Sequence, residues 1–297
     1  MKRLSVIIVT YNSEHDIYDC LQSVWNFCDI PKEELEVIIV DNSPECEPMF
    51  TNLRNKYTNL VLIHNTHNGG YGQGNNVGIR QATAPVVMIM NPDVRLCQPL
   101  FCTALASFEK DTSLCMYGMK QMLSLEIKSP ISFDCSRRLN GYLIPIISSL
   151  CNKLDLYNPR LMYFQGSCFF VSKKQFEQIG LFDEDIFMYG EEDDIHWRFK
   201  KLFGSHFKYN AHLSYLHLTL ERPMSMTTEQ KMVASIALSN EKKGFSRQFT
   251  YKNFVRYHRV RLFSAYIKKL LGRNDAQQHI DILKSIIKEF KQQSRIS

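Results

Sequence analysis

A chain of 297 residues that is 44% hydrophobic and 22% charged has apolar content enough for one large or two intimate domains, which excludes a disordered or fibrous protein. The net charge of +6 is unevenly spread: residues 241–297 hold 14 Lys/Arg against 4 Asp/Glu, a local +10 that leaves −4 on residues 1–240. A mildly acidic body with a basic tail predicts an anionic partner for the tail, and no run of about 18 apolar residues offers a spanning helix.

In chain order, Leu4–Thr10 is a near-continuous apolar run, as in a strand buried on both faces. It passes into the polar turn Tyr11-Asn12-Ser13 with no small-residue cleavage site, so a cytoplasmic protein is expected. Nine cysteines without a CxxC pair or a Cys/His ligand spacing fit reduced, mostly buried thiols. Ser13 stands where a helix N-cap belongs, ahead of Ile17, Leu21, Val24 and Trp25 at helical spacing. Strands are predicted at 36–40, 60–65 and Val86–Met90, a polar helix at 45–56, and a glycine-rich loop entering a helix over 70–82. This alternation predicts an α/β fold with a mostly parallel sheet flanked by helices, whose ligands bind beyond the carboxyl ends of the strands. Polar clusters follow all four strands: Thr10-Tyr11-Asn12, Asp41-Asn42-Ser43, His67-Asn68-Gly69-Gly70 and Asn91-Pro92-Asp93.

Residues 121–160, with Pro130, Pro145 and Pro159, read as an irregular lid or acceptor region. Order returns over 161–172, then a helix at 173–179, an acidic stretch at 183–194 leading into a helix with Trp197 and Phe199, and a strand at 207–218. From 227 onward the pattern is helical. The division expected is a catalytic domain at 1–225, with a nucleotide-binding half at 1–95 and an acceptor half at 96–225, followed by a basic helical C-terminal extension at 226–297.

Four constellations carry chemistry. Asp41 ends an apolar strand, where its carboxylate can accept from a uracil or thymine imino N–H or a ribose hydroxyl; the bland alternative is a turn cap. Tyr11, ending the neighbouring strand, could stack on a base. The glycines at 69, 70, 72 and 74 suit backbone approach to phosphate at a helix start, but they match neither a P-loop nor a GxGxxG fingerprint, and a flexible turn is the plain reading. Asp93 is placed to hold Mg²⁺ or Mn²⁺ against a diphosphate. In Glu191-Glu192-Asp193-Asp194, an acidic run among apolar neighbours, repulsion and burial favour one raised pKa suited to a general base. Asp194 and Arg198 can pair at i,i+4, and His217 is either structural or completes a metal or phosphate site.

In order, Val6–Asn12, Val37–Ser43, Asn68–Asn76, Asn91–Val94 and Tyr189–Asp194 make the chain resemble the inverting GT-A glycosyltransferases of family 2, in particular rhamnosyltransferase-like and galactofuranosyltransferase-like members, across about residues 4–220. The resemblance implies a GT-A, Rossmann-like fold with Thr10, Tyr11, Asn12 and Asp41 on the nucleoside, and Gly70, Gly74 and Asn75 beside the ribose and diphosphate. It further implies Asn91 and Asp93 at a DxD-type position whose first acid is replaced, with Asp93 and His217 on the metal. Glu192 falls at the general-base position, ahead of Asp193 and Asp194, and Asp194 and Arg198 support it. The implied reaction is one in-line displacement of a nucleoside diphosphate by an acceptor hydroxyl, in cell-surface polysaccharide synthesis, from a UDP- or dTDP-sugar.

The basic, apolar stretch 258–271 either packs on the catalytic domain or lies on the anionic inner face of a membrane, which would suit a glycan or lipid-linked oligosaccharide acceptor. No nucleic-acid-binding module is recognisable. The rival functions are a sugar-phosphate nucleotidyltransferase, which would want a basic glycine loop after the first strand, and a non-catalytic nucleotide-sugar-binding protein, motivated by Asn91.

Overall fold

The computed structural model describes residues 1–218, 225–273 and 276–296. Its first half alternates as expected: β1 (Leu4–Thr10), α1 (Glu14–Asn26), β2 (Leu35–Asp41), α2 (Glu47–Lys56), β3 (Leu60–His64), α3 (Gly70–Gln81) and β4 (Val86–Met90). Then come β5 (Val94–Leu96), α4 (Phe101–Lys110), β6 (Met116–Met122), β7 (Phe133–Cys135), α5 (Ile144–Lys153), β8 (Met162–Phe164), β9 (Cys168–Ser172), α6 (Lys173–Gln178), α7 (Glu191–Phe203) and β10 (Phe207–His217). The chain closes with α8 (Met226–Glu241), α9 (Arg247–Leu270) and α10 (Ala276–Ile296). The predicted helical run from 227 thus has breaks, and residues 274 and 275 lie outside the described residues.

One eight-stranded sheet, in the order β3-β2-β1-β4-β9-β6-β10-β5, organises the molecule, and β9 and β5 run against the others. β1 is apolar on both sides because each side meets helices. Val6 and Ile8 join a core with Leu21 and Val24 of α1, and Ile7 joins another with Ile79 of α3 and Phe199 of α7.

The sheet is curled, and chain length shows why. β4 and β5 stand four strand spacings apart, about 19 Å if the sheet were flat. Only the link Asn91-Pro92-Asp93 joins Met90 to Val94, which is at most about 14 Å of chain even when extended. The link also turns, with the Val94 N–H donating to the Asn91 carbonyl at 3.1 Å. The far end of the sheet is therefore drawn back over β4.

The irregular region expected at 121–160 contains β7 and α5 instead. Pro145 sits in the first turn of α5, where a missing N–H costs nothing. Asn152 fixes the helix to β7, accepting from Ser132 N at 2.7 Å and donating to the Phe133 carbonyl at 2.8 Å. Ser13 occupies the N-cap of α1 but does not cap it; its hydroxyl donates to the Tyr11 carbonyl at 3.0 Å. The true side-chain caps lie in the extension, where Ser225 and Ser246 accept from Thr228 N and Phe249 N. Val233, Ile236, Phe254, Ile286 and Phe290 give α8, α9 and α10 a core of their own.

Candidate active site

Register places the polar residues side by side. Thr10 pairs across to Asp41, and Asp41 to His64, at the carboxyl ends of β1, β2 and β3. Asp41 is 1% exposed, and its Oδ1 accepts from the Thr10 hydroxyl at 2.6 Å and the Ser43 hydroxyl at 3.0 Å. Oδ2 accepts from Ser43 N at 3.3 Å. A carboxylate has about four acceptor sites, so one remains for a ligand N–H or O–H. Asn12, in the left-handed region at φ 50°, is tied to the same hub by its N–H to the Ser43 hydroxyl at 2.8 Å. Asn12, Ser13, Asp41, Ser43 and Pro48 line an open cleft of about 410 Å³, and Tyr11 stands 52% exposed at its rim. Nucleoside-sized ligands occupy clefts of this scale.

The glycine-rich segment is differently employed than expected. It is helical from Gly70, and the structure turns Gly74 and Asn75 inward. A Cβ on Gly74 would stand 2.8 Å from the Val9 side chain and 2.9 Å from that of Asn42. Asn75 is 1% exposed and donates to the Tyr71 carbonyl at 2.9 Å. These positions let α3 sit close on the sheet. Gly70 has φ 89°, and a Cβ there would meet the Phe187 carbonyl oxygen at 1.9 Å.

β5 pairs Val94 with His217, so Asp93 arrives beside the end of β10, with its Oδ1 3.3 Å from His217 Nε2. Asn91 donates its backbone N–H to the Ser167 carbonyl at 2.8 Å. Ser167 in turn lies within 3.1 Å of Gln121 Oε1 and 2.9 Å of the Tyr215 hydroxyl. Next to it, Gly166 is the floor under Glu192: a Cβ on Gly166 would fall 2.2 Å from Glu192 Oε1. The Tyr71 hydroxyl holds that floor from below, donating to the Gly166 carbonyl at 2.5 Å.

Within the acidic run the four residues divide. Asp193 is paired with Arg138 at 2.9 Å and accepts from Arg137 N at 3.1 Å. Asp194 was expected among the catalytic groups; instead Oδ2 is bound by Arg198 at 2.5 Å, the pairing read from their spacing, and Oδ1 by Lys243 at 2.7 Å. Both oxygens are engaged and the residue is buried, which anchors α7. Glu191 is buried, which lifts its carboxyl well above the usual range, and the neighbouring Glu192 charge adds to this. Glu192 is half-buried on the open side, and burial raises its carboxyl too, opposed by hydrogen bonding to backbone at Glu192 and Gly166. His196 ties the backbone of this turn to β8: Nδ1–H donates to the Glu192 backbone carbonyl at 2.8 Å while Nε2 accepts from Phe164 N at 3.2 Å. Burial pushes this imidazole down to about 3, so it is neutral, as those bonds require.

Asp93 and His217 supply one oxygen and one nitrogen donor, a set that suits Mn²⁺ and also admits Mg²⁺. A second group, Asp41, Cys46 and His64, brings its ligand atoms within 4.8 Å of one another. Asp41 is already committed there to Thr10 and Ser43, and His64 Nε2 donates to the Ser43 carbonyl at 2.9 Å. Sequence spacing could not reveal that group, since Cys46 and His64 belong to different strand–helix units.

The profile of Glycosyl transferase family 2 matches residues 5–129, which covers β1 through the end of β6. Residues 5–129 thus resemble a glycosyltransferase family 2 domain. The low-salt glycan biosynthesis hexosyltransferase Agl10 of Haloferax volcanii is 29% identical over 214 residues, 67% of this chain and 62% of that protein. The poly(ribitol-phosphate) β-N-acetylglucosaminyltransferase TarS of Staphylococcus aureus is 36% identical over 95 residues, 31% of this chain and 16% of TarS. This chain therefore spans under two thirds of one curated relative and about a sixth of the other. Among solved structures, TarS 1–349 in complex with UDP superposes with a TM-score of 0.54 at 17% identity, covering 98% of this chain and 91% of that one. The mannosyltransferase PcManGT of Pyrobaculum calidifontis, in complex with GDP-Man and Mn²⁺, reaches 0.61 at 16% identity, covering 96% and 85%. The chain has the GT-A fold, with helices appended at its C-terminus.

Proposed function

We propose that this protein transfers a hexosyl group from a UDP- or dTDP-sugar to an acceptor hydroxyl of a glycan, with inversion at the anomeric carbon. The observation that carries the reading is the Glu192 carboxylate against Gly166, joined through Ser167 to Asn91 on the same sheet edge as the Asp41 hub. Asp41 takes the base or ribose through its remaining acceptor site, and Tyr11 covers the base. Glu192, seated against Gly166, removes the acceptor proton as the hydroxyl attacks from the face opposite the nucleotide. Mn²⁺ or Mg²⁺ held by Asp93 and His217 would offset the charge that develops on the departing diphosphate. Bringing donor and acceptor into line supplies the proximity contribution. Nine free cysteines support a reducing, cytoplasmic setting, and residues 1–225 are our catalytic unit, with 226–297 appended to it.

The test is turnover of UDP-, dTDP- and GDP-sugars with Mn²⁺ or Mg²⁺, followed as nucleoside diphosphate released. Glu192→Gln is expected to lower kcat by roughly a thousandfold while nucleotide-induced thermal stabilisation persists. Pyrophosphate as the product would indicate nucleotidyl transfer, and stabilisation without turnover of any donor a binding protein.

A further inference from the structure

α5 carries apolar side chains on both sides, with Ile144, Ile147 and Cys151 turned to the core. Its buried positions, Ile144, Ser148 and Asn152, are largely polar and bond to the β7 region, whereas Leu143, Ile146, Leu150 and Leu154 stand exposed at steps of three and four. The hairpin after β6 continues this apolar strip: Leu125 is 73% exposed, and Ile127 is exposed beside it. Lys128 fastens the hairpin to the end of α5 through Asp155 at 2.5 Å. On the other side a groove of about 550 Å³ separates Ile146 and Leu150 from Ser264 and Lys268 of α9, whose last turn ends in the exposed Leu270 and Leu271. The Arg259 guanidinium reaches the Tyr142 hydroxyl at 2.9 Å across the same junction. Three neighbouring elements thus each present exposed apolar side chains, more than single exposed leucines account for.

Its rim names the occupant. Residues 256–273 hold six Lys/Arg and no acid, and Arg259, Lys268, Lys269 and Arg273 are exposed. A second copy docked face to face would set this basic surface against itself, which disfavours self-association. An anionic bilayer answers both properties, taking the apolar side chains below the headgroups and the cations at their level. We propose that the hairpin, α5 and the end of α9 dock on an anionic lipid surface and that the acceptor sugar is carried on a lipid. The second part rests on the glycosyl-transfer reading. The hairpin leaves β6 at the ligand edge directly after Gln121, whose side chain meets Ser167 beside Glu192, so the docked face adjoins the site.

Co-sedimentation of the full chain with vesicles of phosphatidylcholine alone, or equimolar with phosphatidylglycerol, tests the docking, with acceptor-free donor hydrolysis measured alongside. Binding to the mixed vesicles only is expected. Lys268→Gln with Lys269→Gln should weaken it by roughly thirtyfold. Ile146→Glu with Leu150→Glu should abolish it, with donor hydrolysis and thermal midpoint unchanged in both. Equal binding to neutral vesicles, no binding at all, or a dimer in sedimentation velocity that Ile146→Glu with Leu150→Glu dissolves would each overturn the docking. Vesicle binding without turnover of any donor would leave the docking standing and remove the lipid-borne acceptor.

Discussion

Glu192 and Gly166 form a couple in which one residue supplies the carboxylate and the other supplies the absence of a side chain. Gly166→Ala places a methyl where Oε1 stands, so kcat should fall by about a hundredfold with the donor KM little changed, as steady-state kinetics would show. Because burial raises the Glu192 carboxyl and the base works ionised, the acid limb of kcat/KM should lie above the ordinary value of 4.5, activity rising with pH through it. A limb at or below that value in a pH–rate profile would count against Glu192. Asp41 and Asp93 could be singled out in the sequence because each ends or follows an apolar run, and Glu192 because the resemblance puts it at the general-base position. Gly166, Ser167, Tyr71 and Gln121 could not. They matter only because β9 is antiparallel to β4 and β6 and brings its entry, not its exit, to the ligand edge.

At the level of elements, α3 and α7 are held by contacts that periodicity does not announce. Gly70→Ala combines a left-handed backbone with a clash against the Phe187 carbonyl, and should cost about 3 kcal/mol in urea unfolding. His196 couples α7 to β8 only when neutral. Its folded value near 3 against 6.5 unfolded means the stability it contributes is complete above about pH 6.5 and is lost as pH falls toward 3. The gap in urea midpoint between the wild type and His196→Gln should therefore narrow over that window; a gap independent of pH would contradict the assignment. The alternating units of residues 4–90 were legible because both sides of the parallel strands are apolar. α5 was not, because it has apolar side chains on both sides and its fixing residues, Ser148 and Asn152, are polar.

Across the whole molecule the extension completes the domain and is not an ornament on it. Lys243 of the loop after α8 neutralises Asp194 of α7, Arg137 lies over the Phe254 and Tyr257 rings of α9, and Asn253 Oδ1 accepts from Gly141 N at 2.6 Å. A chain ending at 225 would leave these charges and rings uncovered, and it should be recovered as aggregate in size-exclusion chromatography, whereas the full chain elutes as a folded species. The link at Asn91-Pro92-Asp93 has a different reach. Like a drawstring, it limits how far apart the ends of β4 and β5 can stand, because only three residues lie between Met90 and Val94. Two glycines inserted after Asp93 should loosen that span without unfolding the sheet. The metal concentration needed for half-maximal turnover would then rise, while nucleotide-induced stabilisation is retained. The spacing of those two strand ends is therefore written into three residues, whatever the outer hairpin and α5 meet.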